Sequence, residues 1–141
     1  MRNVTLLFFI SLLSLSGLAM AQDRVRLEDD EHVNRTLLSA AVSVGVARVC
    51  PSLEVRQLFG LFKAFELRNY ARSLGYSDEE IMAYNNDPAQ QARVKDWAWR
   101  YMTSQGVKEG DVESYCALGR YEIERKSLSG RLLRDTGRGA E

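Results

Sequence analysis

The sequence predicts an all-α protein, a compact bundle of about four to five helices with one interhelical disulfide behind a cleaved signal peptide. Three observations lead to this prediction. Apolar residues recur at helical spacing along most of the chain. Ser, Asp and Pro residues stand where helices would begin, and glycines where they would end. The chain holds only two cysteines, and no segment makes a convincing strand.

The first 21 residues have the composition of a secretory signal. Arg2 precedes an apolar run over residues 4–18, and Ala19-Met20-Ala21 forms a small-residue cleavage motif before a polar stretch. The run is short and rich in serine for a transmembrane span. We therefore expect cleavage after Ala21, a periplasmic protein and no stable membrane anchor afterwards. An uncleaved anchor is the alternative.

The remaining 120 of the 141 residues are enough for one ordinary domain. We expect a single helical domain over residues 22–130, with a frayed arm over residues 22–27, and a flexible C-terminal tail over residues 131–141. The full chain carries 19 basic and 19 acidic residues, and loss of Arg2 would leave a net charge of about −1. This balance argues against nucleic acid or an anionic membrane as the main partner.

The two cysteines, Cys50 and Cys116, predict one disulfide in an exported protein. Closing a loop of this size would stabilise the fold by about 4 kcal/mol in the chain-entropy model. Two free thiols or a redox pair is the alternative, and it is disfavoured because C-x-x-C spacing is absent.

Residues 52–75 predict the central packing helix, with Ser52 as N-cap and Gly75 as the stop. Its apolar face includes three phenylalanines, which would bury a large area. That face continues into polar residues that either leave the core for solvent or line an interhelical pocket. These candidate pocket residues are Glu66, Asn69 and Ser73.

Other helices have clear start signals. Residues 33–49 are apolar nearly all round, which is typical of an internal helix. Ser77 opens a capping box, Asp87-Pro88 begins a helix that runs to about residue 105, and Asp111 caps a last strong helix that we expect to run to Gly130. Trp99 points away from the inner face of its helix. It is either a partner contact or covered by a terminal arm of the same molecule.

Catalytic constellations are scarce. The one histidine, His32, lies at an acidic helix start near the mature terminus, and this acidic cluster is best interpreted as a charged first turn rather than a cation site. Glu122 and Glu124 are two residues apart, so they do not share a helix face. We expect no metal or cofactor site and lean against an enzyme, although carboxylates in a cleft leave no linear signature.

Four segments in order after the signal carry a family resemblance: AVSVGVARVC, LGYSDEEIMAY, YMTSQGV and SYCALGRYEIER. Together they resemble a small family of exported alphaproteobacterial proteins, of Rhodobacterales type, known only as domain of unknown function 5333. The match covers nearly all of the mature chain, and its most specific points are the two cysteines, the 75–78 turn and the 116–120 segment. The resemblance implies a periplasmic helical protein and supports pairing Cys50 with Cys116. It implies no catalytic or binding residues.

The residues themselves suggest three functional hypotheses. The leading one is a non-enzymatic interaction or accessory factor that binds another periplasmic protein, with Trp99 as a candidate contact. The second is an acid-stress holdase-type chaperone. The third is a small-molecule binding module or enzyme with an interhelical pocket around Glu66, Asn69 and Ser73.

Overall fold

The structure, a computed structural model, describes residues 24–137. Within this range the chain forms mostly helices and one small sheet, which confirms the predicted all-α class with an interhelical disulfide. The predicted signal peptide and cleavage site lie outside the described residues. The elements in chain order are α1 (Glu31–Val49), β1 (Leu53–Val55), α2 (Gln57–Ser73), α3 (Asp78–Asn86), α4 (Pro88–Ser104), α5 (Val112–Glu124), α6 (Leu128–Leu132) and β2 (Leu133–Asp135).

Helix α1 is the element around which the fold is organised. It packs against α4, α5 and α6, and its Val42 and Val46 side chains are 1% and 0% exposed. Asp30 caps its start by accepting a hydrogen bond from the amide of Val33 at 2.9 Å. The prediction of an internal helix holds for the side that carries Val42 and Val46, whereas Val44 is 44% exposed.

The prediction that residues 52–75 form the central packing helix is wrong. Leu53–Val55 is a strand, α2 begins at Gln57 without a side-chain cap, and Ala71 is its one buried residue. Of its three phenylalanines, Phe62 and Phe65 are exposed and Phe59 is half-buried. Helical periodicity identifies residues that share a face but not the direction of that face. Here Gly60 and Ala71 lie towards the protein, and larger apolar side chains lie on the opposite side.

The predicted flexible tail needs correction in its first part. Arg131 and Leu132 end α6, and β2 pairs antiparallel with β1, with Val55 opposite Leu133. The amide of Arg56 also donates to the carbonyl of Leu132 at 2.7 Å. Leu132 and Leu133 are 4% and 3% exposed, so burial of this leucine pair fixes the segment. Residues 138–141 lie outside the described range.

The N-terminal residues are also held more firmly than the predicted frayed arm. Leu27 is buried, the guanidinium of Arg24 donates to the carbonyl of Gly75 at 2.7 Å, and Tyr76 donates from its hydroxyl to the carbonyl of Val25 at 2.9 Å. The residues before α1 therefore tie the start of the domain to the turn that follows α2.

The predicted helix starts at residues 77, 87 and 111 are confirmed. Ser77 and Glu80 form a reciprocal capping box, and Asp87 caps α4 with proline as its first residue. Asp111 caps α5, but α5 ends at Glu124 rather than at Gly130, and the chain turns before α6 starts. The prediction of one continuous helix to Gly130 is therefore wrong, because two helices separated by a turn occupy this part of the chain.

The Cys50–Cys116 disulfide joins the end of α1 to α5, and both cysteines are buried. The predicted pairing is confirmed. One turn after Cys116, Gly119 lies so close to α1 and β1 that an added Cβ would overlap the Leu53 side chain and approach Val46 Cγ1 to 2.7 Å. Absence of a side chain at this glycine permits the close crossing that the disulfide clamps.

Candidate functional site

The most prominent surface feature is a set of large apolar side chains on the outward side of α2, which we call the α2 face: Leu58, Leu61, Phe62 and Phe65. Their exposed fractions are 85%, 69%, 55% and 57%. Together they expose roughly 500 Å² of apolar surface if each fully exposed side chain offers about 200 Å². A contiguous apolar patch of this size on a monomer commonly marks an interaction site.

Basic side chains border the start of the α2 face. The charged groups of Arg56, Lys63 and Arg131 lie 5.1, 5.6 and 5.4 Å from the centre of the Phe59 ring. Arg56 Nη1 also donates to the carbonyl oxygen of Arg131 at 3.2 Å, so these two guanidinium-bearing residues are adjacent. Lys63 forms an ion pair with Glu66. Across residues 24–137, neither Arg56 nor Arg131 takes part in an ion pair.

The other end of α2 is fastened to α3 by charge. Asp78 accepts from Arg72 Nε at 2.7 Å, and Arg68 Nη2 lies 2.9 Å from its second carboxylate oxygen. The hydrogen bonds from Arg72 and Arg68 hold the pKa of Asp78 well below its usual range. This aspartate therefore stays charged at mildly acidic pH and keeps the two helices joined.

Two apolar cavities, both open to solvent, lie beneath α2; Ala64, which lines both, is exposed. One, of about 300 Å³, extends towards α3, where Ile81 and Met82 line it. The other, of about 190 Å³, extends towards α6 and is lined at that end by Leu128. The cavities share Leu37 of α1 and two residues of α2, Ala64 and Leu67. Helix α2 is therefore held at its two ends and packed loosely along its middle.

The model of a family of unknown function, DUF5333, matches residues 25–134, which is most of the chain. The chain belongs to the DUF5333 family. The family resemblance predicted from the sequence is thereby confirmed. No significant match is found among curated proteins or among solved structures.

The three candidate pocket residues of this DUF5333 protein are exposed rather than enclosed between helices. Glu66 pairs with Lys63, Asn69 accepts from Arg72 Nη1 at 3.4 Å, and Ser73 donates to the carbonyl of Tyr70 at 2.6 Å. Exit to solvent, the alternative that the sequence also allowed, describes their positions. Other residues of α2, among them Ala64 and Leu67, line the cavities beneath this helix.

Trp99 lies on α4 and is 37% exposed, so roughly two thirds of its surface is already covered by the molecule. A contact with a partner stays a prediction for this residue. The α2 face exposes a larger apolar area than Trp99 does. The sequence shows the apolar stripe of α2, but it does not show that this stripe lies on the surface and not in the core.

A buried polar network was missed by sequence reasoning. Glu122 is 1% exposed and accepts hydrogen bonds from the hydroxyl of Tyr101 at 2.5 Å and from Ser127. Burial, followed by the hydrogen bond to Glu122, raises the pKa of Tyr101 to about 12. Because Ser127 also caps α6, the network joins α4, α5 and α6. Glu124 is exposed, so the two glutamates lie apart as predicted.

The acidic start of α1 acts as a helix cap and a surface ion-pair cluster. His32 is exposed and lies edge-on to Tyr70, with ring centres 4.5 Å apart. Tyr70 in turn donates to Asp30 at 3.0 Å. In the part of the chain that the structure describes, no group of three or more His, Cys, Asp or Glu residues is arranged to hold a metal ion. Over the same residues, none of the helices combines the length and apolar character needed to cross a bilayer.

Proposed function

We propose that this protein is an exported, periplasmic and non-enzymatic interaction factor that docks a partner protein on the α2 face. The observation that carries the proposal is the orientation of α2. Its small Ala71 is buried, whereas Leu58, Phe62 and Phe65 are each more than half exposed. A helix that serves only the core of its own domain would bury its large apolar side chains, because that burial drives folding.

The surroundings of the α2 face indicate the chemistry of the partner. An amphipathic segment would cover the apolar side chains, and a carboxylate beside it would pair with Arg56 or Arg131, whose planar guanidinium groups bind carboxylates bidentately. The exposed apolar area of roughly 500 Å² is below the approximately 800 Å² that each partner contributes to a standard interface. The basic side chains that border the α2 face, Arg56, Lys63 and Arg131, would contribute the remaining interface area.

An anionic membrane surface is less well matched to this region. Lys63 is paired with Glu66, and Arg134 is paired with Glu54, so acidic side chains are interspersed with the basic ones. The whole chain has a formal net charge of +0. Membrane-surface helices instead carry a strongly basic polar face. A protein partner is therefore the occupant that the charge distribution favours.

Export is supported by two features of the chain. The apolar run over residues 4–18 precedes the Ala19-Met20-Ala21 motif, in the order expected of a signal peptide. The buried Cys50–Cys116 disulfide suits an oxidising compartment.

An acid-activated holdase is a less favoured function. Such a chaperone would expose apolar surface at low pH, whereas the ion pairs of Asp78 with Arg68 and Arg72 persist in mild acid and keep α2 joined to α3. Unchanged binding of an apolar dye on acidification would remove that alternative.

The test is affinity capture from a periplasmic extract of the native host, using the tagged mature chain. A double variant, Leu58→Gln with Phe62→Gln, removes two of the four large apolar side chains of the α2 face. Val112→Gln on α5 is the matched control, since Val112 is also exposed, at 46%. We expect one stoichiometric partner that the double variant loses and the control keeps, with both variants retaining the circular dichroism spectrum of the parent.

Two further arms distinguish other outcomes. Capture by Trp99→Ala reports whether α4 contributes to the same interface. Flotation with vesicles of anionic phospholipid reports membrane binding. If the α2 double variant captures the same partner as the parent protein, or if only vesicles are bound, the proposal that α2 docks a protein is wrong.

A further inference from the structure

The two cavities beneath α2 are neighbours that share three lining residues, Leu37, Ala64 and Leu67. Together they follow α2 on the side opposite the α2 face. From Gly60, which lines the smaller cavity, to Ala71, which lines the larger, the helix rises about 16 Å. The cavities together are therefore long relative to their volume, and their walls are mostly aliphatic or aromatic, with Thr36, Ser43, Asn85 and two cationic residues among the lining.

Cationic side chains line both cavities. Lys63 lines the smaller one, its side chain is 24% exposed, and its ion-pair partner is Glu66, whose side chain is 46% exposed. Arg68 lines the larger one, but Asp78 already engages it together with Arg72. A surface ion pair such as Lys63–Glu66 contributes little stability. The ammonium group of Lys63 can therefore pair with an anionic ligand more readily than the guanidinium of Arg68 can.

We propose that this site binds a single-chain amphiphile, a long-chain fatty acid, with its carboxylate at Lys63 and its hydrocarbon chain lying under α2. The chain would pass Leu37 and Leu67 and end in the larger cavity near Met82. An elongated apolar cavity with one available cation matches such a ligand better than it matches a compact polar metabolite, whose hydrogen-bonding groups would be left unpaired.

The way α2 is anchored allows a ligand to enter. At its start the amide of Arg56 bonds to Leu132, and at its end Arg72 and Arg68 bond to Asp78. Between these anchors the helix buries little of its own surface, so its middle can move outward by a small distance without breaking the hydrogen bonds at either end. The hydrocarbon chain would use the side of the helix opposite the α2 face, and only Lys63, whose charged group lies 5.6 Å from the centres of the Phe59 and Phe62 rings, is shared with the border of that face.

The experiment titrates the mature protein with hexadecanoate below its micelle concentration, by isothermal titration calorimetry. Thermal stabilisation in the same buffer gives a second readout, because a ligand that binds only the folded state raises the melting temperature. We expect saturable binding of one ligand per chain. The alcohol of the same chain length should bind roughly tenfold more weakly, since it lacks the charge that Lys63 pairs with.

Variants locate the ligand. Lys63→Gln should weaken hexadecanoate roughly tenfold and leave binding of the alcohol unchanged, whereas Lys108→Gln, an exposed lysine between α4 and α5, is the matched control and should change neither. Ala64→Phe should block both ligands, because this residue lines both cavities. Circular dichroism checks its fold, and Lys63→Gln tests the site by itself if Ala64→Phe does not fold.

Three results would overturn the inference. The first is no saturable binding by the parent protein. The second is equal binding of the acid and the alcohol together with insensitivity to Lys63→Gln. The third is a loss of binding in Phe62→Gln that Ala64→Phe does not reproduce, because this would mean that the fatty acid adsorbs to the outward α2 face.

Discussion

Truncation of Phe62 distinguishes an outward-facing α2 from the buried helix that the sequence suggests. Phe62 is 55% exposed, so folding removes a little less than half of its side chain from water. Complete burial of a phenylalanine is worth about 1.5–3 kcal/mol, and the covered part here is therefore worth about 1 kcal/mol. We expect Phe62→Ala to lower the free energy of unfolding by about 1 kcal/mol.

Leu53→Ala is the matched control for a side chain that is inside. Leu53 in β1 is 2% exposed and contacts the crossing of α1 and α5 beside Gly119. Truncation of a buried leucine removes its transfer free energy and leaves a cavity, so we expect a loss of about 2–5 kcal/mol. If Phe62 were a core residue, its truncation would cost about 3–5 kcal/mol.

The measurement is equilibrium unfolding in urea, followed by far-ultraviolet circular dichroism, on the oxidised mature chain without ligand. If the unfolding free energy depends on urea concentration with the same slope in both variants and the parent, a shift in the urea midpoint reports a change in stability. A loss of 3 kcal/mol or more in Phe62→Ala would show that this side chain is buried in solution. The α2 face would then not be an exposed apolar surface in solution, whatever partner had been captured.

Three further predictions follow from the rest of the structure. Replacing Cys50 and Cys116 together by alanine should lower the free energy of unfolding by about 4 kcal/mol, since their disulfide spans a sequence separation of 66 residues; an unchanged urea midpoint would contradict this. Gly130→Ala should cost about 3 kcal/mol, because the added Cβ would overlap the backbone carbonyl of Glu122, and a melting temperature equal to that of the parent would refute the close packing. The stability advantage of the parent over Tyr101→Phe should shrink as pH rises from about 10 to about 12, because the raised pKa means that the unfolded chain loses the tyrosine proton first; a constant difference across that range in urea titrations would exclude the effect.

Local signals account for the parts of the fold that were predicted correctly. The capping box at Ser77 and the Asp87-Pro88 start depend on side chains within a few residues, so they form wherever the chain is placed. The disulfide between Cys50 and Cys116 followed from composition, because the chain offers no other cysteine. The internal position of α1 followed from its lack of a wide polar face.

The strand pair and the C-terminal segment were beyond local reasoning. Leu53–Val55 is only three residues long and continues a pattern that is compatible with helix, and its partner is about 80 positions away. The pairing is stabilised by burial of leucines from both segments, which no window of sequence can contain. The buried Glu122 similarly acquires its hydroxyl partners from α4 and from the cap of α6.

The sequence by itself determined the helical class, the disulfide, the family and the residues that share each face of α2. Only the tertiary structure decided which face of α2 points outward, because that depends on what the remaining helices leave to be covered. Because α4, α5 and α6 already cover Val42 and Val46 of α1, α2 contacts the rest of the domain through small residues such as Ala71. Phe62 and Phe65 are consequently exposed, and loose packing on the inner side of α2 leaves the cavities on which the ligand proposal depends.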